Sequence, residues 1–325
     1  MTRVGVAGLG YWGPNLARNF DELAELAWLC DADPAQRELF AARYPQTRVT
    51  GDFEDLLTDD ALDAVVIATP VPTHYELARK SLAAGKHTFV EKPPAMRAAE
   101  MAELVELAAD RDLVLMPGHL LLYHPGVIKL KELIDAGELG EVLCIYGNRQ
   151  NLGIVRTNEN ALWSLGVHDL SVILYLLDEE PIDAVAYGRD FLTEGVEDVV
   201  FCYLRFPSGK IAHMHLSWLD PHKMRKITVV GREKMAVFDD MELDRKVTVY
   251  EKAPWKRTDT YGEWQTRSGD IWIPKISTDE PLKLECQQFL RLVAGEGDRL
   301  KVARDGAMVV GALEKLTESL AGVSA

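Results

Sequence analysis

The sequence predicts an α/β protein of two domains, the first doubly wound about a parallel sheet and the second built on a large open, mostly antiparallel sheet. Three observations predict this. The first third of the chain alternates short apolar bursts with helix-period segments, the pattern of successive βαβ units. The first burst runs into Gly8-Leu9-Gly10-Tyr11-Trp12-Gly13, a glycine turn between a strand and a helix, which marks the first domain as a Rossmann domain. After Gly137 the pattern turns strand-dominated as far as about Tyr250. A length of 325 residues suits two cores, and the boundary is set at residues 1–120 and 121–325, with the closing helix able to return to the first domain.

Taken in order, 4–7 reads as the opening strand, 14–23 as a helix, 26–30 as the second strand and 34–44 as a helix. The apolar run 64–68 is a buried strand, 75–84 a helix stopped by Gly85, and 87–90 a strand entering Glu91-Lys92-Pro93-Pro94. A helix at 98–109, a strand at 114–116 and a helix at 127–136 follow. Strands are then expected at 143–148, 184–189, 199–206, 210–217, 226–230 and 235–238, with one helix at 165–177 among them. The weakly periodic stretch 255–278 reads as a long loop or irregular hairpin, and helices at 282–294 and 305–321 close the chain.

Composition narrows the function. Hydrophobic residues at 47% and charged residues at 27% describe an ordinary folded globular protein. A net charge of -15, with no basic run, repels a phosphate backbone and excludes nucleic acid as a partner. Cys30, Cys144, Cys202 and Cys286 are far apart with no ligand spacing, which reads as free thiols in a cytoplasmic protein without metal. No secretory leader is expected from the first residues, and no apolar run is long enough to span a membrane.

The glycine turn carries specific chemistry. Gly8 permits the tight turn, Gly10 lets backbone approach a pyrophosphate, Gly13 allows close helix packing, and the helix N-terminus faces the anion. Tyr11 and Trp12 ride on the same turn. Asp31, about 20 residues on at the end of the second strand, suits the ribose hydroxyls and selects NAD over NADP. Thr69-Pro70, with Thr73-His74, and Glu91-Lys92 stand at strand carboxyl ends, where open α/β sheets place ligands. Lys92 in such a place could donate to a substrate oxygen. Against each stands a plainer alternative: a glycine turn can serve packing alone, a lysine can be a solvated charge, and His119, Tyr123, His124 and His168 can be packed structural side chains. His213 and His215 share a strand face and read as sheet-face residues.

On these motifs the chain resembles the Gfo/Idh/MocA oxidoreductase family over nearly its whole length. The likeness rests on the glycine turn, Ala68-Thr69-Pro70, Glu91-Lys92-Pro93, Gly137-Glu138-Leu139-Gly140, Trp163-Ser164-Leu165-Gly166-Val167-His168-Asp169 and Glu280-Pro281-Leu282. It implies that Lys92 and His168 are catalytic and that the open sheet forms a homodimer or homotetramer. One position departs from the pattern: many relatives carry aspartate four residues before the histidine, and this chain has Ser164. The stretch from Arg149 to Trp163, with Arg156, Asn158, Glu159 and Asn160, is similar to members acting on nucleotide-linked sugars, of the UDP-N-acetylglucosaminuronate 3-dehydrogenase type. Tyr123, Arg149, Arg156, Asn160, Trp163 and Ser164 are therefore expected at the substrate, although both arginines could equally make interface ion pairs. The implied reaction interconverts a secondary alcohol and a ketone on a sugar. An inositol or free-sugar dehydrogenase, a keto-sugar reductase and a catalytically inactive dinucleotide-binding regulator are the alternatives.

Overall fold

The computed structural model describes residues 1–153, 155–157, 159–256 and 264–321; Asn158 lies outside them. The chain divides into two compact units, Met1–Tyr123 with Asp279–Gly311 and His124–Thr278 with Ala312–Ala325.

The first unit begins with β1 (Arg3–Ala7), α1 (Gly13–Leu23), β2 (Glu25–Cys30), α2 (Pro34–Arg43), β3 (Arg48–Thr50), α3 (Glu54–Thr58), β4 (Ala64–Ile67), α4 (His74–Ala83), β5 (His87–Glu91), α5 (Ala98–Asp110) and β6 (Leu115–Gly118). Its six strands are parallel in the order β3-β2-β1-β4-β5-β6. The winding reverses between β1 and β4, so a crevice opens outside their carboxyl ends. β4 is buried along its whole length, which is why it reads as an unbroken apolar run. β3 and α3 have no counterpart in the sequence expectation. β3 is a three-residue edge strand, nowhere fully buried, and α3 is a single turn, so neither carries a period long enough to read.

The second unit contains α6 (Pro125–Asp135), β7 (Val142–Gln150), α7 (Val167–Leu177), β8 (Asp183–Arg189), β9 (Val199–Arg205), β10 (Ile211–Ser217), β11 (Met224–Gly231), β12 (Met235–Asp239), β13 (Val247–Lys256) and β14 (Trp264–Trp272). Eight strands form one sheet in the order β14-β13-β12-β11-β7-β10-β9-β8. Only β7 and β10 run parallel within it. The alternation on β9 buries Val200, Cys202 and Leu204 and leaves Phe201 and Tyr203 exposed. His213 stacks on Tyr146 at 4.5 Å and His215 on Phe201 at 4.3 Å, so both histidines are sheet-face residues. The segment expected as a loop or irregular hairpin, 255–278, contains β14, which pairs with β13 before it in the chain. Trp264 and Ile271 of β14 are exposed, which blurs the alternation that would have marked the strand.

Two helices follow, α8 (Pro281–Val293) and α9 (Arg299–Ala321). α8 belongs to the first unit, where Phe289 meets Phe20 at 6.1 Å and Phe89 at 5.8 Å, both edge to face. α9 starts at Arg299 instead of the expected Asp305, because the Asp298 carboxylate accepts from the backbone N–H of Leu300 and Lys301 and caps the new first turn. Among the described residues no helix is long and apolar enough to cross a membrane, and no trio of His, Cys, Asp or Glu is arranged to hold a metal ion.

Candidate active site

The glycine turn is built differently at its three glycines. Gly8 has φ +89°, and a Cβ there would lie 2.5 Å from the backbone of Ala68; a Cβ on Gly13 would lie 1.8 Å from the Gly8 carbonyl oxygen. Packing alone demands those two. At Gly10 a Cβ would meet nothing within 4 Å, so the protein's own packing does not require glycine, and the open approach suits a pyrophosphate. Trp12 precedes α1 and no side chain caps the helix, leaving its N-terminus to an anion. Tyr11 is exposed beside it. The Asp31 carboxylate accepts from Leu9 N at 2.6 Å and from Asp33 N at 2.8 Å, which fastens the turn to the end of β2. The residues present fit a dinucleotide.

The loops after β4 and β5 are joined by His74. Its Nε2 lies 2.7 Å from the Thr69 carbonyl and its Nδ1 2.8 Å from the Pro93 carbonyl, with the ring only 1% exposed. Burial lowers its pKa. The ring expected at the cofactor is thus a brace between Thr69-Pro70 and the cis Lys92-Pro93 peptide. Thr73 Oγ1 reaches Thr69 Oγ1 at 2.7 Å and donates to the Pro70 carbonyl at 2.8 Å, which shapes the same corner.

Lys92 follows β5 among buried titratable groups. Its charge opposes protonation of His119 and His74 and favours ionisation of Glu91. The Glu91 carboxylate accepts from the Lys92 backbone N–H at 3.3 Å and from the Trp12 indole, yet burial pushes it up to about 7. His119 is buried with neither ring nitrogen partnered among the described residues, and burial brings it down to about 4. Tyr123 packs partly buried against the first unit's core.

In the second unit His168 is half-buried on the first turn of α7, just after a π-helical turn over Leu162–Gly166 that carries Ser164. Such turns displace the helix register and recur at functional sites. Other residues expected at the substrate have structural partners. Arg149 is 6% exposed, and its Nε and Nη2 each lie 2.7 Å from Asp169 Oδ1, the carboxylate following His168. Trp163 is buried with its indole donating to Thr317 Oγ1 at 3.0 Å. Asn160 donates to Glu197 and accepts from Trp163 N, so it caps the turn. Arg156 is exposed and pairs with Glu159 at 2.9 Å. His124 caps α6 and faces Asp240 at 3.6 Å.

Sequence reasoning missed Asp169 and Glu285. A signal existed for the second: Leu282, Glu285, Cys286 and Phe289 follow the i, i+3, i+4, i+7 stripe of a buried face, and a glutamate on that stripe is anomalous.

Comparison with known proteins agrees with this geometry. Residues 2–119 match the model of the oxidoreductase family with an NAD-binding Rossmann fold, and residues 127–237 match the GFO/IDH/MocA C-terminal domain. Inositol 2-dehydrogenase 2 of Paenarthrobacter aurescens is 30% identical over 66% of this chain and 68% of its own length. The 2,7-anhydro-N-acetylneuraminate hydratase of Escherichia coli is 30% identical over 65% of this chain, which spans only 60% of that protein. UDP-N-acetylglucosamine 3-dehydrogenase of Acidithiobacillus ferrooxidans is 28% identical over 73% of this chain and 74% of its own. Its solved structure superposes with a TM-score of 0.83 at 24% identity, covering 98% of this chain and 97% of that one.

Proposed function

The chain belongs to the Gfo/Idh/MocA family of NAD-binding oxidoreductases, and from that premise we propose that it interconverts a secondary alcohol and a ketone on a nucleotide-linked sugar, such as a UDP-N-acetylhexosaminuronate at C3. The observation that carries an active-site role is the setting of Lys92: a cation following β5, beside the half-buried Glu91, which accepts from the Trp12 indole of the glycine turn, and near the buried His119. NAD, when bound, supplies the hydride acceptor. Gly10 and the N-terminus of α1 hold its diphosphate, and Asp31 receives the ribose hydroxyls. Lys92 hydrogen-bonds the reacting oxygen and steadies the charge that develops there. His168 takes the hydroxyl proton, the role the family likeness gives it, while Ser164 offers an orienting hydroxyl.

With Arg149 and Asn160 committed to structural partners, the diphosphate of a nucleotide sugar falls chiefly to Arg156, whose ion pair with Glu159 is exposed. The named inositol dehydrogenase among the relatives keeps the free polyol as the second reading. The exposed aromatic face around Phe201 and Tyr203 supports a dimer or tetramer through the eight-stranded sheet. Its formation is read by sedimentation, and a monomer at micromolar concentration would count against it. The buried thiols accord with a cytoplasmic setting.

Reduced-cofactor absorbance and product analysis test the proposal, after mixing with NAD and separately with UDP-N-acetylglucosaminuronate, UDP-glucose, dTDP-sugars and myo-inositol. The expected result is turnover of one nucleotide sugar. Turnover of inositol alone would replace the substrate and keep the chemistry. Tight NAD binding with no turnover across the panel would favour a binding-only protein.

A further inference from the structure

Glu285 is the least expected residue in the core of the first unit. It is fully buried on α8, and neither carboxyl oxygen has a hydrogen-bond partner among the described residues. An unmet carboxyl in an apolar interior is costly even as a neutral polar group and far more so if ionised. A hydrophobic residue of similar size would serve packing better.

The geometry gives this carboxyl a neighbour. Phe89 and Glu91 are two apart on β5 and share one face of the sheet; Glu285 and Phe289 are four apart on α8 and share one face of the helix. The rings of Phe89 and Phe289 meet at 5.8 Å. Continuing both elements one step toward the strand's carboxyl end brings Glu285 over Glu91, because helical side chains lean toward the helix N-terminus. The Glu91 carboxyl lies against Gly118, where a Cβ would come within 3.2 Å of it. The other ionisable groups that act on the pair are Lys92, beside Glu91, and Cys286, which follows Glu285 on α8 and feels both carboxyls. Arg18 and Glu22 on α1 are taken up by exposed pairs with Glu280 and Lys283.

We propose that Glu285 is a positioning residue for Lys92: it remains protonated and donates through one bridging water to the Glu91 carboxylate, which in turn accepts from the Lys92 backbone N–H and fixes the start of the lysine. One buried proton is shared by two carboxyls, and the ionised member is the one beside the cation. Burial, and then the field of Glu91, hold Glu285 well above the ordinary glutamate range; burial also raises Glu91, to about 7, but there Lys92 opposes it. The assignment of Glu285 thereby deepens the reading of Lys92 as an active-site group and rests on it for its kinetic consequence alone.

Two measurements test it. The infrared difference spectrum of the cofactor-free protein at pH 8, wild type against Glu285→Gln, is expected to show a protonated-carboxyl carbonyl band that the variant lacks. Loss of a carboxylate band instead would overturn the proposal without touching the proposed reaction. The second is the pH profile of kcat with whichever member of the substrate panel is turned over. A Glu285 donor stabilises ionised Glu91, so Glu285→Leu is expected to move the acidic limb upward by about one pH unit. Glu285→Gln, which still donates, is expected to restore it to within a few tenths. A Glu285→Leu profile that superposes on the wild type would overturn the positioning role. If Lys92→Ala retained full turnover, the reading of the active site would fail while the infrared result stood on its own.

Discussion

Asp169 and Glu285 are both acids without solvent exposure, one in each unit, and their surroundings differ in kind. Asp169 lies 2.7 Å from the Arg149 guanidinium, a compensated pair that clamps β7 to the start of α7. Glu285 has no cationic partner among the described residues and lies in the field of a second carboxyl, Glu91. Burial raises both carboxyls, but only Asp169 has a partner pulling it down. A paired buried acid holds a fold together, whereas an unpaired acid beside another acid weakens it and is explained by chemistry.

Removal of the cation on the Glu91 side is the strongest way to test that contrast. Lys92→Ala is expected to reduce kcat by a thousandfold or more, since both a positioned donor and the stabilisation of developing charge are lost. NAD affinity, measured by fluorescence titration, should change by less than threefold. A loss of affinity matching the loss of rate would place Lys92 in cofactor binding only. The second-largest effect falls on the paired acid. Asp169→Ala leaves the Arg149 guanidinium buried without a partner and is expected to cost about 3 kcal/mol in urea unfolding. Replacing both residues together, Arg149→Met with Asp169→Leu, should recover most of it. A single variant as stable as the wild type would break the comparison at its structural end.

The sequence showed the scaffold of the first unit well because that unit is written in local signals. The apolar run of β4, the glycine turn and the strand-end Glu91-Lys92-Pro93 each lie within a few residues. It showed less of the candidate site because partnership between buried groups is non-local. Arg149 and Asp169 are 20 residues apart, and Glu91 and Glu285 come together only through the packing of Phe89 on Phe289. The same limit applied to Asn160 and Trp163, whose polar atoms are met by Glu197 and Thr317 from distant segments. His74 followed a cofactor-like motif, but its two carbonyl partners are visible only after the loops after β4 and β5 are folded together.

Glu285 also predicts how stability should vary with pH, and its removal should raise stability where removal of Asp169 lowers it. Its folded pKa lies above the unfolded value near 4.5, so the native state holds a proton that the unfolded chain has released. Stability from this group is complete below about pH 4.5 and declines as pH rises toward the folded value. Glu285→Leu removes the decline, and its melting temperature should exceed that of the wild type by a few degrees at pH 8, with a smaller gain at pH 5. A gain independent of pH would mean that better packing, not the proton, accounts for it.

Asp31 supplies the smallest effect and a control between the two extremes. It is half-buried, and its carboxylate is met by the Leu9 and Asp33 N–H groups. Among the described residues the neighbouring Arg37 guanidinium donates to its backbone carbonyl at 2.9 Å and not to its carboxylate. Asp31→Asn keeps an acceptor for the turn but loses the charge that would repel a 2′-phosphate. NAD should bind about tenfold more weakly, about 1.4 kcal/mol, and the preference over NADP should narrow, with melting temperature nearly unchanged. Because neutral N–H donors already satisfy this acid, its charge is left for the ligand. A large fall in melting temperature with an unchanged cofactor preference would instead class Asp31 with Asp169, as a carboxylate that serves the fold.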